Sequence, residues 1–216
     1  MSNSNHVRAI AELAASEGVF TTAQAERLGI PRDALHDAVE SGRLERICHG
    51  AYRMMGGVGS YADDLVAIWK LTAPSKFLHE RTKVAGWDGI VVGGTTASSL
   101  LGIGDFYLSP YRFYAPKRIN TRKKDVSFTK RIVDREDVTF VEGVLVTRPE
   151  RTIFDLVLDY EDSSLVANVL RDAAYADRSF DFNKLEGLFA SKYPPRTAKN
   201  IYETLLADAG LMMAGV

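Results

Sequence analysis

The stretch from Val19 to Gly56 constrains the fold of this 216-residue chain more strongly than any other part of the sequence. Thr21 is followed three residues later by Gln24, and this spacing is typical of a capping box, in which two side chains satisfy free backbone groups at the start of a helix. Gly29 predicts the end of that helix, and Pro31 suits the first turn of another. These signals predict two helices joined by a tight turn.

The residues that follow predict the second helix and a β-ribbon behind it. The apolar residues of this helix fall on one side, at Ala34, Leu35, Ala38 and Val39. Gly42 predicts its end, and residues 44–47 and 51–54 predict two strands around a turn that carries Gly50. Helix, turn, helix and ribbon in this order predict a winged helix-turn-helix, a fold that places its second helix in the major groove of DNA.

The solvent side of the predicted recognition helix carries both basic and acidic residues. Arg32 stands at its N-terminal end, where recognition helices contact base edges, and a guanidinium group matches the two acceptors of guanine. His36 lies one turn further on. Asp33, Asp37 and Glu40 share this side, and carboxylates close to DNA phosphates repel them. Two interpretations therefore stay open: a DNA-reading helix, or a winged helix that has become a protein-binding or structural module.

Charge is distributed unevenly along the chain, although the formal net charge is only −1. Residues 112–135 contain nine Lys or Arg and two Asp or Glu, whereas residues 136–216 contain eight and 14. The basic segment could extend a surface that follows DNA phosphates, keep an exposed strand edge soluble, or bind an acidic partner, either protein or RNA. The predicted DNA-binding residues of the whole chain are Arg27, Arg32, His36, Arg43, Arg46, His49, Arg53, Arg118, Arg122, Lys123 and Lys124.

The remainder of the chain predicts a mixed domain. Residues 111–146 alternate between apolar and polar side chains, which predicts three or four antiparallel strands with residues 118–125 as a charged hairpin tip. The last third has the apolar spacing of helices. We therefore predict the α+β class, with a winged helix-turn-helix DNA-binding domain in residues 1–56. Residues 57–216 are predicted to form a domain with a small antiparallel sheet and a helical C-terminal third.

Local patterns predict how two helices of this second domain begin. Thr95, after a pair of glycines, predicts a helix cap. Because no Lys follows the glycines and no pair of Asp residues stands nearby, a plain strand-to-helix connection is favoured over a nucleotide site. Thr147 and Glu150 have the spacing of a second capping box around a proline. In the helix that follows, Arg151 and Asp155 are spaced for an intrahelical ion pair.

Three motifs in a fixed order carry a family resemblance. The first comprises Gln24-Ala25, Leu28-Gly29-Ile30-Pro31, Leu35, Ser41-Gly42-Arg43-Leu44 and Gly50-Ala51-Tyr52. The second is Gly94-Thr95-Thr96-Ala97-Ser98 with Leu100-Leu101-Gly102, and the third is TRPERTIFD, residues 147–155. Together they bracket residues 19–155. In these motifs the chain resembles the AbiEi family, the antitoxins of type IV toxin–antitoxin systems.

The resemblance implies an antitoxin with two activities and a role in phage defence. Its winged helix is expected to bind inverted repeats in the double-stranded DNA of its own promoter and to repress the operon. Its C-terminal domain is expected to counter a cognate toxin with a nucleotidyltransferase fold, without the need for a stable complex. Any role of residues 147–155 in toxin control follows from the resemblance alone.

Two other functions stay open. A winged-helix transcriptional regulator with a sensing or oligomerisation domain, and no toxin, would share every DNA prediction. A metal-dependent nuclease could use Asp134, Glu136 and Asp137, but the sequence shows no nucleophile beside a base and no metal-ligand spacing among its four histidines. We therefore predict a protein that is not an enzyme and that has no cofactor or metal site.

The sequence also predicts where the protein works. Its first residues lack the pattern of a signal peptide, and its apolar runs are far shorter than the roughly 20 residues of a membrane span. The single cysteine, Cys48, excludes an internal disulfide. We expect a cytoplasmic protein with no membrane partner.

Overall fold

The computed structural model describes residues 3–57, 59–176 and 179–211. The helices are α1 (Asn3–Glu17), α2 (Thr22–Arg27), α3 (Arg32–Glu40), α4 (Asp63–Leu71), α5 (Leu78–Thr82), α6 (Gly94–Leu101), α7 (Pro149–Leu158), α8 (Ser163–Ala176), α9 (Phe182–Lys192) and α10 (Pro195–Asp208). The strands are β1 (Phe20–Thr21), β2 (Leu44–Cys48), β3 (Ala51–Met54), β4 (Val91–Val92), β5 (Tyr111–Ala115), β6 (Val126–Lys130), β7 (Val138–Val141) and β8 (Val144–Thr147). These helices and two separate sheets confirm the predicted α+β class.

The chain divides into two compact units. The first unit comprises Met1–Asp88 with Glu142–Val144, and the second unit comprises Gly89–Val141 with Leu145–Val216. The end of the predicted C-terminal domain, residues 212–216, lies outside the described residues.

The first unit contains the predicted winged helix-turn-helix. α2 begins with the predicted capping box, because the Gln24 N–H donates to the Thr21 hydroxyl over 3.1 Å and the Thr21 N–H donates to the Gln24 side-chain oxygen over 2.8 Å. Gly29, at a φ of 75°, turns the chain from α2 towards α3. β2 and β3 pair antiparallel as the wing. β1, which the sequence pattern did not reveal, adds a third strand beside β3.

The apolar side of α3 is buried in the core of the first unit. Leu35 is 1% exposed and Ala38 is 3% exposed, and both belong to a cluster with Ile10 of α1, Phe20 of β1 and Leu44 of β2. Full burial of a large aliphatic or aromatic side chain stabilises a fold by about 1.5–3 kcal/mol. This packing fixes which side of α3 faces solvent.

Packing in the first unit continues beyond the predicted domain boundary at residue 56. The Lys70 ammonium group of α4 lies 2.7 Å from the Glu17 carboxylate of α1, and both side chains are almost fully buried. Gln24 donates to the same carboxylate over 2.9 Å. Burial lowers the pKa of Lys70, and the bond to Glu17 opposes this shift. α4 thus shares the core of the first unit, while the functional division at residue 56 stays a prediction.

The sheet of the second unit has the order β6-β5-β4-β8-β7, and it is mixed rather than antiparallel. β4 and β5 are antiparallel, but β5 pairs parallel to β6 and β4 pairs parallel to β8. The predicted hairpin at residues 118–125 is therefore wrong. Tyr111 stands opposite Val126, so the basic segment is a crossover that carries the chain back to the start of β5. A parallel neighbour requires such a return, which a tight turn cannot provide.

The glycine pair before α6 is explained by the packing of an aromatic ring. A Cβ atom on Gly93 would lie 2.0 Å from the ring of Tyr114, which is 1% exposed. The predicted Thr95 cap is wrong, because α6 begins at Gly94 with Gly93 as its N-cap and no side-chain hydrogen bond. The hydroxyl of the next residue, Thr96, accepts a hydrogen bond from the Arg112 N–H of β5 over 2.9 Å.

Four helices, α7 to α10, confirm the predicted helical last third and enclose a common apolar cluster. The predicted capping box at the start of α7 is wrong. The Thr147 hydroxyl pairs with that of Thr152 over 2.7 Å, and the Glu150 carboxylate accepts from the Asp181 N–H over 2.8 Å. Both side chains thus form hydrogen bonds that the local sequence does not predict. Arg148 is the N-cap of α7, and its side chain forms no capping hydrogen bond.

Candidate nucleic-acid interface

The side of α3 that was predicted to face DNA is exposed to solvent. Arg32 and His36 are exposed on it, and so are Asp33, Asp37 and Glu40. Pro31 precedes the helix in an extended conformation, with φ −75° and ψ 159°, so that Arg32 begins the first turn. The structure therefore places Arg32 at the open N-terminal end of α3, together with the predicted mixture of charges along the helix.

A cleft of about 280 Å³ lies between α2, the start of α3 and the wing. Three of the predicted DNA-binding residues line it: Arg32 from α3, Arg46 from β2, and His49 from the turn of the wing. Glu26 and Tyr52 line it as well. Arg46 and His49 follow Arg32 by 14 and 17 residues, and they line the same cleft because β2 runs back along the helix-turn-helix.

Arg46 and His49 act as one group on the wing. The Arg46 Nη2 lies 2.7 Å from the His49 Nδ1. Because a guanidinium group is always a donor, Nδ1 accepts in this contact, which corresponds to the imidazole tautomer with its N–H on Nε2. That N–H remains a donor in addition to the remaining N–H groups of Arg46. The pair can therefore present several donors to an anionic oxygen such as that of a DNA phosphate.

Arg27 and Arg53 are bound to carboxylates of the first unit. Arg27 Nη1 lies 2.8 Å from Glu80 and its guanidinium carbon lies 4.5 Å from the centre of the Phe77 ring. The hydrogen bond from Arg27 lowers the pKa of Glu80 to about 2. Arg53 bonds the Glu45 carboxylate over 2.6 Å, and a second of its nitrogens lies 3.4 Å from Asp63. Glu80 lies 53 residues from Arg27, so no local pattern indicates that pair, whereas Glu45 is the cross-strand neighbour of Arg53 in the wing.

The other predicted first-unit residues lie apart from the cleft. Arg43 lines a separate cleft with His6 and Asp37, between α1 and α3. His36 lies one turn along α3 from Arg32 and is exposed. Of the seven predicted positions in the first unit, the structure therefore brings three together.

In the second unit, the crossover of residues 116–125 carries the remaining predicted cations. Arg118, Arg122, Lys123 and Lys124 are all exposed. Arg118 donates to the Asn120 side-chain oxygen over 3.2 Å. Within the described part of the chain, none of the four forms an ion pair. They are therefore available to an anionic partner.

Two arginines of the same basic segment are instead neutralised inside the second unit. Arg112 bonds Glu161 over 2.6 Å, and Arg131 lies over the Tyr114 ring while it bonds Asp159 over 2.6 Å and Asp155 over 3.1 Å. The surface of the segment is consequently less basic than its composition indicates.

The predicted ion pair of Arg151 and Asp155 is confirmed as part of this buried network. Arg151 Nε lies 3.0 Å from the Asp155 carboxylate, which is fully buried. Burial raises the pKa of Asp155 to about 6, while the guanidinium groups of Arg151 and Arg131 act in the opposite direction. Asp137, 3% exposed, continues the network to Lys184 over 2.6 Å. The ion pairs of Arg151 and Asp155, within residues 147–155, thus attach α7 to the end of the sheet.

The carboxylates considered for a nuclease do not assemble into a site. Asp134 and Glu136 are exposed, whereas Asp137 between them and β7 is buried in the ion pair with Lys184. Across residues 3–57, 59–176 and 179–211, no group of three or more His, Cys, Asp or Glu side chains has an arrangement suited to a metal ion. In the same residues, no helix has both the length and the apolar character needed to cross a bilayer.

Residues 8–54 match a family of proteins described as "Transcriptional regulator, AbiEi antitoxin". The match runs from α1 to the end of the wing, and it includes the two arginines and the histidine that line the cleft. Over residues 8–54, the first unit is similar to AbiEi antitoxins.

This match confirms the resemblance to the AbiEi family over residues 8–54 and supports a role as a transcriptional regulator or antitoxin, whereas the motifs at residues 94–102 and 147–155 lie outside it. The crystal structure of the RV2827C protein from Mycobacterium tuberculosis is similar in fold, with a TM-score of 0.57 and 16% sequence identity over 94% of this chain and 76% of that one. At this identity the likeness concerns the fold alone. No curated protein matches the chain.

Proposed function

We propose that this AbiEi-type chain is the antitoxin of a type IV toxin–antitoxin system. Its first unit binds inverted repeats in the double-stranded DNA of its own promoter and represses the operon. Its second unit counters a cognate toxin with a nucleotidyltransferase fold, without the need for a stable complex. The protein acts in the cytoplasm, in phage defence, and is not an enzyme.

One observation carries the DNA part of this proposal. Arg32, Arg46 and His49 line one cleft at the exposed start of α3, within the residues that match the AbiEi family. In a winged helix, the start of the second helix contacts base edges while the wing lies against the backbone. Arg32 is accordingly the base-reading residue, and Arg46 with His49 binds a phosphate.

The acidic residues of α3 set the strength of this interaction. Asp33, Asp37 and Glu40 are exposed on the same helix and repel phosphates in the walls of the groove. The repulsion is screened over a Debye length of about 10 Å at 0.1 M salt. The exposed crossover cations of the second unit supply additional phosphate contacts. We therefore expect the affinity for DNA to depend strongly on salt concentration. It should be high only for sequences that place a matching base opposite Arg32.

The test is fluorescence anisotropy with the DNA fragment directly upstream of the reading frame and with an unrelated fragment of equal length. Arg32→Ala should weaken binding to the promoter fragment by about 1–3 kcal/mol and change binding to the unrelated fragment far less. Arg8→Ala is the matched control, because Arg8 is 83% exposed on α1 and also pairs with a glutamate. Equal effects of the two variants would contradict the assignment of α3 to the groove.

The antitoxin part is tested by co-expression with the neighbouring gene. Growth should be rescued by the full chain if that gene encodes a nucleotidyltransferase-like toxin. The second unit should be required for this rescue even when operator binding is retained. Growth arrest that the full chain does not relieve would contradict the antitoxin function.

A transcriptional regulator without a toxin is the second candidate. It is favoured by the extent of the family match, which covers the winged helix and leaves residues 55–216 unmatched. This candidate predicts the same DNA binding and no nucleotidyltransferase-like gene beside its own.

A further inference from the structure

Glu26 holds the guanidinium group of Arg32 by one edge. The Arg32 Nε donates to the Glu26 Oε1 over 2.7 Å, from the start of α3 to the last turn of α2. Among the described residues, Glu26 is the only side-chain hydrogen-bond partner of Arg32. Both residues line the cleft that also contains Arg46 and His49.

This contact leaves the end of the guanidinium group available. A guanidinium group has five N–H donors in a planar fork, and the bond to Glu26 uses the single donor on Nε. The N–H groups on Nη1 and Nη2 remain. Guanine presents two neighbouring acceptors in the major groove, O6 and N7, which a pair of such donors can bind together.

We propose that Glu26 is a positioning residue that orients Arg32 for an end-on, bidentate contact with one guanine of the operator. The inference rests on the proposed DNA-binding function. It adds the base that Arg32 contacts, a guanine, and the residue that orients Arg32, which is Glu26. Glu26 itself does not contact the base.

Electrostatics gives the proposal a distinctive sign. A carboxylate at a DNA-binding cleft repels phosphates, and this effect alone predicts that removal of Glu26 strengthens binding to DNA. On the operator a second, opposite effect is larger: the carboxylate orients Arg32, and an aligned long side chain loses less conformational freedom when it binds. Loss of Glu26 therefore acts in opposite directions on specific and non-specific binding.

The first experiment measures the affinity of full-length variants for the promoter fragment and for unrelated DNA. Glu26→Ala should weaken binding to the promoter fragment about fivefold and strengthen binding to unrelated DNA about twofold. Glu26→Gln keeps an oxygen that accepts from Nε, so its affinity for the promoter fragment should stay within about twofold of the native value. Glu12→Ala is the matched control, because Glu12 pairs with Arg8 on α1 over 2.8 Å, outside the cleft.

The second experiment identifies the base. Each guanine of the promoter fragment is replaced in turn by 7-deazaguanine, which lacks the N7 acceptor. One replacement should weaken binding of the native protein about fivefold and leave Arg32→Ala unaffected. Glu26→Ala should respond to that replacement less than the native protein does.

The outcomes separate this inference from the function beneath it. A native protein that does not prefer the promoter fragment overturns the proposed function and this inference with it. A native protein that prefers it, with Glu26→Ala strengthening binding to both fragments equally, overturns the positioning role alone and leaves a purely repulsive carboxylate. Far-ultraviolet circular dichroism of each variant verifies that the fold is retained.

Discussion

Asp155 is the residue at which burial and charge oppose one another most directly in the second unit. Its carboxylate accepts from Arg131 and Arg151 and is fully buried, and its pKa is raised to about 6 from an ordinary value of 3.8. A group whose folded pKa is raised stabilises the fold below its unfolded pKa and loses that contribution as pH rises through the folded pKa.

Asp155→Asn should therefore change how stability depends on pH. In the native protein, the Asp155 contribution to the free energy of unfolding should fall by about 2.4 kcal/mol between pH 4 and pH 7. In Asp155→Asn this contribution is missing. Urea denaturation of both proteins at several pH values measures the difference between their curves, which cancels the titration of carboxylates that both share. Parallel curves would contradict the raised pKa.

Gly93 is a position where the absence of a side chain decides the local packing. An added Cβ would lie 2.0 Å from the Tyr114 ring, whose hydroxyl donates to Asp159 and whose face is covered by Arg131. Gly93→Ala must displace that ring, so it should destabilise the protein by about 1–3 kcal/mol.

A thermal or urea denaturation series measures this effect against a helical glycine. Gly187→Ala is the control, because Gly187 lies in α9 and an added Cβ meets nothing within 4 Å. It should be neutral or stabilising by up to about 1 kcal/mol. If both substitutions had the same effect, the close contact with Tyr114 would not be the reason for glycine at position 93.

At the scale of elements, the crossover of residues 116–125 is the part whose effect on DNA binding is easiest to isolate. Replacement of Lys123 and Lys124 by Gln should weaken binding to all DNA to a similar extent. If both contact phosphates, the slope of log K against log salt should become shallower by about 1.8. Lys199→Gln, on the exposed side of α10, is the control. An unchanged slope in the crossover variant would leave these lysines without a role in DNA binding.

The elements also show how far the sequence predicts the structure. Three signals contained within a few residues were correct: the capping box of Thr21 and Gln24, the ion pair of Arg151 and Asp155, and the wing. Two equally local signals, the Thr95 cap and the capping box of Thr147 and Glu150, were wrong because those side chains have other partners or positions in the folded protein. β1 was missed because two residues are too short to show an alternation. The parallel neighbour of β5 was missed because a charged loop between two strands has the same composition in a hairpin and in a crossover.

For the candidate site, the sequence predicts the exposed face of α3 correctly but not the partners of the basic residues around it. The exposure of Arg32 follows from the helical spacing of Leu35 and Ala38. The partners Glu80 for Arg27 and Asp159 for Arg131 lie 53 and 28 residues away, so no local pattern could indicate them. Residue type alone therefore overestimates the number of cations that are available for DNA.

At the scale of the whole molecule, the core of the first unit extends past the winged helix. A fragment of residues 1–56 lacks Lys70, so Glu17 would lose the cation that neutralises it inside the core. Breaking a buried pair in this way costs about 3–5 kcal/mol, a large part of the stability of a small domain.

We therefore expect residues 1–88 to unfold cooperatively as an isolated fragment and residues 1–56 to be largely unfolded. Urea denaturation followed by circular dichroism distinguishes the two. A cooperative transition of similar midpoint in the shorter fragment would show that the winged helix is independent and would support the predicted boundary at residue 56.

If the first unit represses its operon as proposed, the ion pairs of Arg27 and Arg53 affect how that repression responds to protein supply. With these two arginines occupied by Glu80, Glu45 and Asp63, three of the five arginines predicted to bind DNA in the first unit, Arg32, Arg43 and Arg46, remain to hold a bound copy on its proposed operator. Each copy should dissociate quickly, and occupancy should follow the cellular concentration of the protein. An operon under such control would resume transcription soon after its product is degraded.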